Sequence, residues 1–120
     1  MKLTDEEFED AIADAIDSIP DRFLDELENV AFIAEDEPTP EQSPQGDLLG
    51  LYEGISLAER GDDYGFFGDC PDTITIFKGP HERLSDSKET VIEEIRRTVV
   101  HEVGHYFGMS EAQIDEMGYA

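Results

Sequence analysis

Residues 101–111 read HEVGHYFGMSE and hold two of the chain's three histidines. His101 and His105 stand four apart, which on a helix stacks them on one face with Cβ atoms roughly 5–6 Å apart. Two imidazole nitrogens so placed can converge on one zinc ion at about 2.0–2.1 Å each. Glu102 is rotated round the helix too far to ligate, yet it can reach a water on the metal's open side. Its expected role is general base, taking a proton from water whose pKa zinc has lowered to about 7 before that water attacks a peptide carbonyl. Gly108 follows where the helical pattern ends, and glycine takes the left-handed stop conformation at low cost. The chain can then turn sharply beneath the site, and Glu111 can complete a His, His, Glu set. Asp115 is the second candidate for third ligand and His81 a weaker one. Against this stands a plainer account, in which the imidazoles are solvated or bonded to nearby acids and Glu111 only decorates the first turn of a short helix, SEAQIDEM.

The elements that would carry these residues are legible from periodicity. Ser85 or Asp86 can cap a helix running to about Phe107. Ile92, Ile95, Val99, Val103 and Tyr106 share one side of it, widened by Val100 and Phe107. His101 and His105 fall on a different flank, near Glu94 and Thr98. At the other end of the chain, Thr4 and Glu7 have the spacing of a capping box, and Phe8, Ile12, Ala15, Ile16 and Ile19 then recur at three- and four-residue steps. Pro20 ends that helix and suits the first turn of another over residues 20–30, with Phe23, Leu24 and Leu27 as its stripe. Strands are expected at residues 30–35, around 48–52 and at 73–77, the last, TITIF, by its alternation and β-branching. Gly50 and Gly54 suggest bulges or close backbone approach. Residues 35–47, rich in proline and acids, read as a solvated loop.

Composition bounds what the chain can be. At 120 residues it is expected to form one domain, residues 1–120, so any enzyme here is a minimal one. Eight basic residues against 31 acidic ones give a net charge of −23. That surface repels phosphates and anionic headgroups, so neither nucleic acid nor membrane is an expected partner. Cys70 is the only cysteine and cannot form an internal disulfide, which fits a reducing compartment. We read it as structural. With no signal peptide pattern and no apolar run approaching about 18 residues, a cytoplasmic location is expected.

Taken together, HEVGHYFGMSEAQIDEMGY, upstream LLGLYEG and TITIFKGP resemble the bacterial minimal zincin-like metallopeptidases, short proteins with an HExxHxxGxx(D/E) motif near the C-terminus. The resemblance spans most of the chain. It implies an α+β fold in which a small mixed sheet packs against N-terminal helices and a C-terminal active-site helix carrying His101, Glu102 and His105. Relatives often have aspartate at the position of Glu111, one methylene shorter. The larger metzincins differ, with a third histidine there and a methionine turn beyond; Met109 and Met117 are better read as packing residues.

The function expected is zinc-dependent hydrolysis of a peptide or unfolded polypeptide, with zinc on His101, His105 and Glu111 and Glu102 as base. Zincins commonly bind substrate as an added strand on a sheet edge, and residues 73–77 are the expected edge. Tyr119 is a candidate hydrogen-bond donor to the oxyanion; Tyr106 is a second, though its place on the apolar stripe favours the core. Two other readings are a zincin-shaped metal- or ligand-binding module without turnover and an acidic interaction protein whose histidines are structural.

Overall fold

The computed structural model describes residues 1–25, 27, 30–54 and 72–116, and of these the side chains of Arg22, Glu111, Asp115 and Glu116 are not described. Cys70, Met117 and Tyr119 lie outside the described residues.

Helix α1 (Asp5–Asp17) opens on the expected capping box: the Glu7 amide donates to Thr4 Oγ1 at 3.0 Å and the Thr4 amide to Glu7 Oε1 at 2.9 Å. Phe8, Ala11, Ile12 and Ala15 form its buried face. The second helix, α2 (Asp21–Leu24), is much shorter than the pattern suggested. Periodicity favoured helix to residue 30, but the chain must be extended by Val30 to enter the sheet. Phe23, Leu24 and Leu27 still pack against the core, and the Phe23 ring meets Phe107 edge-on at 5.3 Å.

Strands β1 (Val30–Glu35), β2 (Gly50–Glu53) and β3 (Asp72–Phe77) form a mixed sheet in the order β1-β3-β2. β1 runs parallel to β3 and β2 antiparallel to it. The register aligns Phe32, Ile74 and Tyr52 across the three strands, on the face carrying the fully buried Ile74 and Ile76. This corrects one expectation. TITIF occupies the centre, with its backbone paired on both sides, so it has no edge to offer a substrate. Alternation revealed a strand but not its neighbours. Burial of Thr75 as well as of Ile74 and Ile76 is what a central strand shows. Among the described residues, β2 is paired on one side only.

Two short pieces escaped the sequence pattern. Helix α3 (Lys78–Glu82) follows β3 directly, with Pro80 in its first turn, where a missing amide costs nothing. The acidic loop after β1 is tied down rather than merely solvated. The Arg83 guanidinium forks onto both Glu37 oxygens at 2.9 Å and reaches Gly46 O at 2.6 Å. Those hydrogen bonds, more than bare charge, hold the Glu37 carboxyl below its usual range. Ser43 is buried, and its hydroxyl accepts from the amides of Asp47 and Leu48.

The long helix α4 (Lys88–Tyr106) is the centre of the architecture, packing against α1 and against β2 and β3. Ser87 caps it, one or two residues later than expected. Val91, Ile95, Val99, Val100 and Val103 are all buried, joining α1 and the sheet in one core. Tyr106 is also buried and stacks edge-on with Tyr52 and Phe107. It belongs to the core. Gly108 ends the helix with φ of 72°, its amide bonding His105 O at 3.0 Å and the Met109 amide bonding Gly104 O at 2.9 Å. These are the two bonds of a Schellman stop. A last helix, α5 (Glu111–Glu116), starts two residues on, after a reciprocal Ser110–Gln113 box. No helix among the described residues is long and apolar enough to cross a membrane.

Candidate active site

His101, Glu102 and His105 project from the C-terminal half of α4, away from the valine stripe that anchors it. The two imidazole rings lie 4.6 Å apart between centres, inclined at 75°. His101 is half-buried and His105 exposed, whereas Glu102 keeps only 6% of its surface. One Glu102 oxygen lies 3.4 Å from Nδ1 of His105.

Burial of Glu102 has a specific cause. Strand β2 crosses α4 at Gly50, so closely that a Cβ there would stand 3.2 Å from Glu102 Cγ and 2.7 Å from Thr98 Cγ2. The expected close approach at Gly50 is therefore present. Just before that crossing, residues 47–50 and α4 part to leave a pocket of about 420 Å³. Glu94, Thr98, His101 and Glu102 line its helical wall, so the flank that periodicity singled out faces the pocket. Asp47, Leu48, Leu49 and Arg97 were not anticipated as part of it. The opposite wall comes from a distant part of the chain, and no local pattern announces that.

His81 is not a ligand. It is fully buried, with Nδ1 2.6 Å from Phe77 O and Nε2 2.8 Å from Thr98 Oγ1. A carbonyl can only accept, so Nδ1 carries a proton. Burial pushes the imidazole pKa below 6.5, outweighing the carbonyl of Phe77 and the charge and carbonyl of Glu94. In the neutral ring Nε2 accepts from Thr98. Both nitrogens are thus engaged inside the protein, and the ring has no lone pair to give a metal.

The backbone of Glu111 begins α5, and the packing that sets α5 is plain. A Cβ on Gly104 would come within 2.6 Å of Ile114 Cδ1, so α5 rests directly on α4 at Gly104, the residue before His105. Ligation by Glu111 or Asp115 lies outside the described side chains, as does any role of Tyr119. Among the described residues, no three His, Cys, Asp or Glu side chains gather to hold a metal.

A family model described as zincin-like metallopeptidase matches residues 27–119. The chain belongs to this family. The matched segment runs from before β1 to beyond α5, and so includes both walls of the pocket. No curated protein matches the chain. Among solved structures, a conserved hypothetical protein of T. thermophilus aligns with a TM-score of 0.57 at 20% identity, covering 88% of this chain and 94% of its own. At that identity the likeness is one of fold. It agrees with an α+β, zincin-like architecture in which a small mixed sheet packs on the motif helix.

Proposed function

We propose that this protein is a zinc-dependent peptidase acting on peptides or unfolded polypeptide, with His101, His105 and Glu111 as metal ligands and Glu102 as general base. The observation that carries the proposal is the position of Glu102: a nearly buried carboxylate on the pocket wall, between two imidazoles that flank it in sequence.

The donors present fit zinc. Imidazoles bound to one tetrahedral zinc at about 2.0–2.1 Å per nitrogen have ring centres roughly 5 Å apart, and 4.6 Å is close to that spacing. Two nitrogens and one carboxylate are a familiar catalytic set that leaves a fourth position open. Bound there, zinc would supply a Lewis acid for the scissile carbonyl and lower the pKa of water. The protein's own part is orientation and proton transfer. Glu102 takes a proton at its carboxylate from the attacking water and returns it to the departing amine. An extended substrate would lie beside the pocket along residues 47–50, rather than on β3, whose two sides are both paired.

The test combines metal analysis with turnover. Purified full-length protein should hold one zinc per chain and cleave a quenched fluorescent peptide mixture, with chelator abolishing cleavage and zinc restoring it. Glu102→Gln should keep the zinc and lose the cleavage. Stoichiometric zinc with no cleavage dependent on Glu102 would point instead to a binding module without turnover. Absence of zinc from protein purified without chelator would leave the acidic interaction protein.

A further inference from the structure

We propose that the pocket between residues 47–50 and α4 receives a lysine or arginine side chain of the polypeptide, next to the bond to be cleaved. This rests on the peptidase reading and adds to it a substrate class. Three carboxylates line the pocket; with Glu102 committed to the reacting water, Asp47 from the β2 side and Glu94 from α4 remain for a cation, against the guanidinium of Arg97. Arg97 and Asp47 are both exposed, so solvent and salt screen both charges, while Glu94 is half-buried and Glu102 almost wholly buried. The remaining surface is suited to an alkyl stem, since Leu48 and Leu49 form one wall and Thr98 faces them. A long basic side chain has that same division, an apolar stem with a cationic head. At about 420 Å³ the space is of small-ligand size.

Asp47 is held for the purpose before any ligand arrives. The Ser43 hydroxyl donates to Asp47 Oδ1 at 3.2 Å and accepts the Asp47 amide at 3.1 Å. Arg83 fixes the preceding residue through Gly46 O. A carboxylate fixed in this way loses little freedom on pairing with a cation, which favours binding. The chain's net charge of −23 draws basic segments toward the molecule as a whole. What the pocket adds is a place where one such side chain is bound.

The experiment separates the pocket from the bulk charge. Labelled peptides differing at one residue, with lysine, arginine, norleucine or glutamate, are titrated by fluorescence anisotropy against zinc-supplemented Glu102→Gln protein, in which Asp47 and Glu94 remain. Lysine and arginine peptides should bind about tenfold more tightly than the norleucine peptide, as one exposed and one half-buried charge pair acting together allow. Asp47→Asn and Glu94→Gln, added singly, should each remove about threefold or more of that preference. Glu35→Gln, an equal charge change at an exposed residue of β1, should not. Equal binding of lysine and norleucine peptides overturns the inference, and so does a Glu35→Gln loss as large as that of Asp47→Asn. Wild-type cleavage of the same peptides keeps the two proposals apart. A binding preference without cleavage defeats only the peptidase reading, and cleavage without preference defeats only this one.

Discussion

Gly50 and Thr98 are in contact across the junction of β2 and α4, and there is no room between them for a methyl group. A Cβ at residue 50 would stand 2.7 Å from Thr98 Cγ2 and 3.3 Å from Thr75 O. Gly50→Ala must therefore lift the strand from the helix, at about 1–3 kcal/mol of stability, the usual cost of overpacking. Trimming Thr98 to serine removes the methyl and keeps the hydroxyl that His81 uses. The double variant Gly50→Ala/Thr98→Ser should recover part of the loss, because Thr75 O and Glu102 Cγ still crowd the site. Denaturant titration of the four proteins measures that coupling.

Gly104 makes the same kind of contact with Ile114. Alanine in a helix interior gains about 1 kcal/mol of propensity over glycine, whereas pressing a methyl against the buried Ile114 costs about 1–3 kcal/mol. The second effect wins, so Gly104→Ala should be destabilised, and Ile114→Ala in the same chain should relieve it. Because α5 begins at Glu111, the displaced helix should also weaken zinc binding, read by competition with a chromophoric chelator. An unchanged zinc affinity in a destabilised Gly104→Ala protein would argue against a ligand on α5.

What the sequence made legible follows from the range of each interaction. The histidine pair, the valine stripe of α4, the glycine stop at Gly108 and the Thr4–Glu7 box are all contacts within a few residues, and all are readable as spacing. The central place of β3, the crossing at Gly50 and the Asp47 side of the pocket depend on residues far apart in the chain. The acidic loop is the plainest case. Its composition reads as solvated, yet Arg83, 46 residues from Glu37, secures it with paired hydrogen bonds. His81 was ambiguous for a related reason, since only its buried partners, Phe77 O and Thr98, decide that it is structural.

Glu111 is open to a direct test by charge and reach. Glu111→Ala should lower zinc affinity by about tenfold or more while His101 and His105 remain, and Glu111→Asp should lower it less. Asp115→Asn serves as the comparison. If it costs more zinc than Glu111→Ala, the third ligand has been assigned to the wrong turn of α5. Isothermal titration with zinc gives both the affinity and the stoichiometry.

His81 should impose its own pH dependence on folding, separate from any effect at the metal site. Burial lowers its pKa in the folded protein below the ordinary 6.5, so between the two values the unfolded chain binds more protons. The stabilisation from the neutral ring is complete above about pH 6.5 and declines as pH falls toward the folded value, with a slope of at most about 1.4 kcal/mol per pH unit. The surroundings moderate the loss. A second proton on Nε2 can be donated to Thr98 Oγ1 while the Thr98 hydroxyl turns to Glu94 O, 2.9 Å away, and the Glu94 charge also favours the imidazolium. Wild type and His81→Gln should accordingly converge in relative stability as pH is lowered from about 7 to 5, a window above most carboxylate titration. Thr98→Val strips the neutral Nε2 of its donor and should cost about 1–3 kcal/mol at neutral pH. Parallel stability curves for wild type and His81→Gln across that window would mean that the imidazole does not change its charge on unfolding.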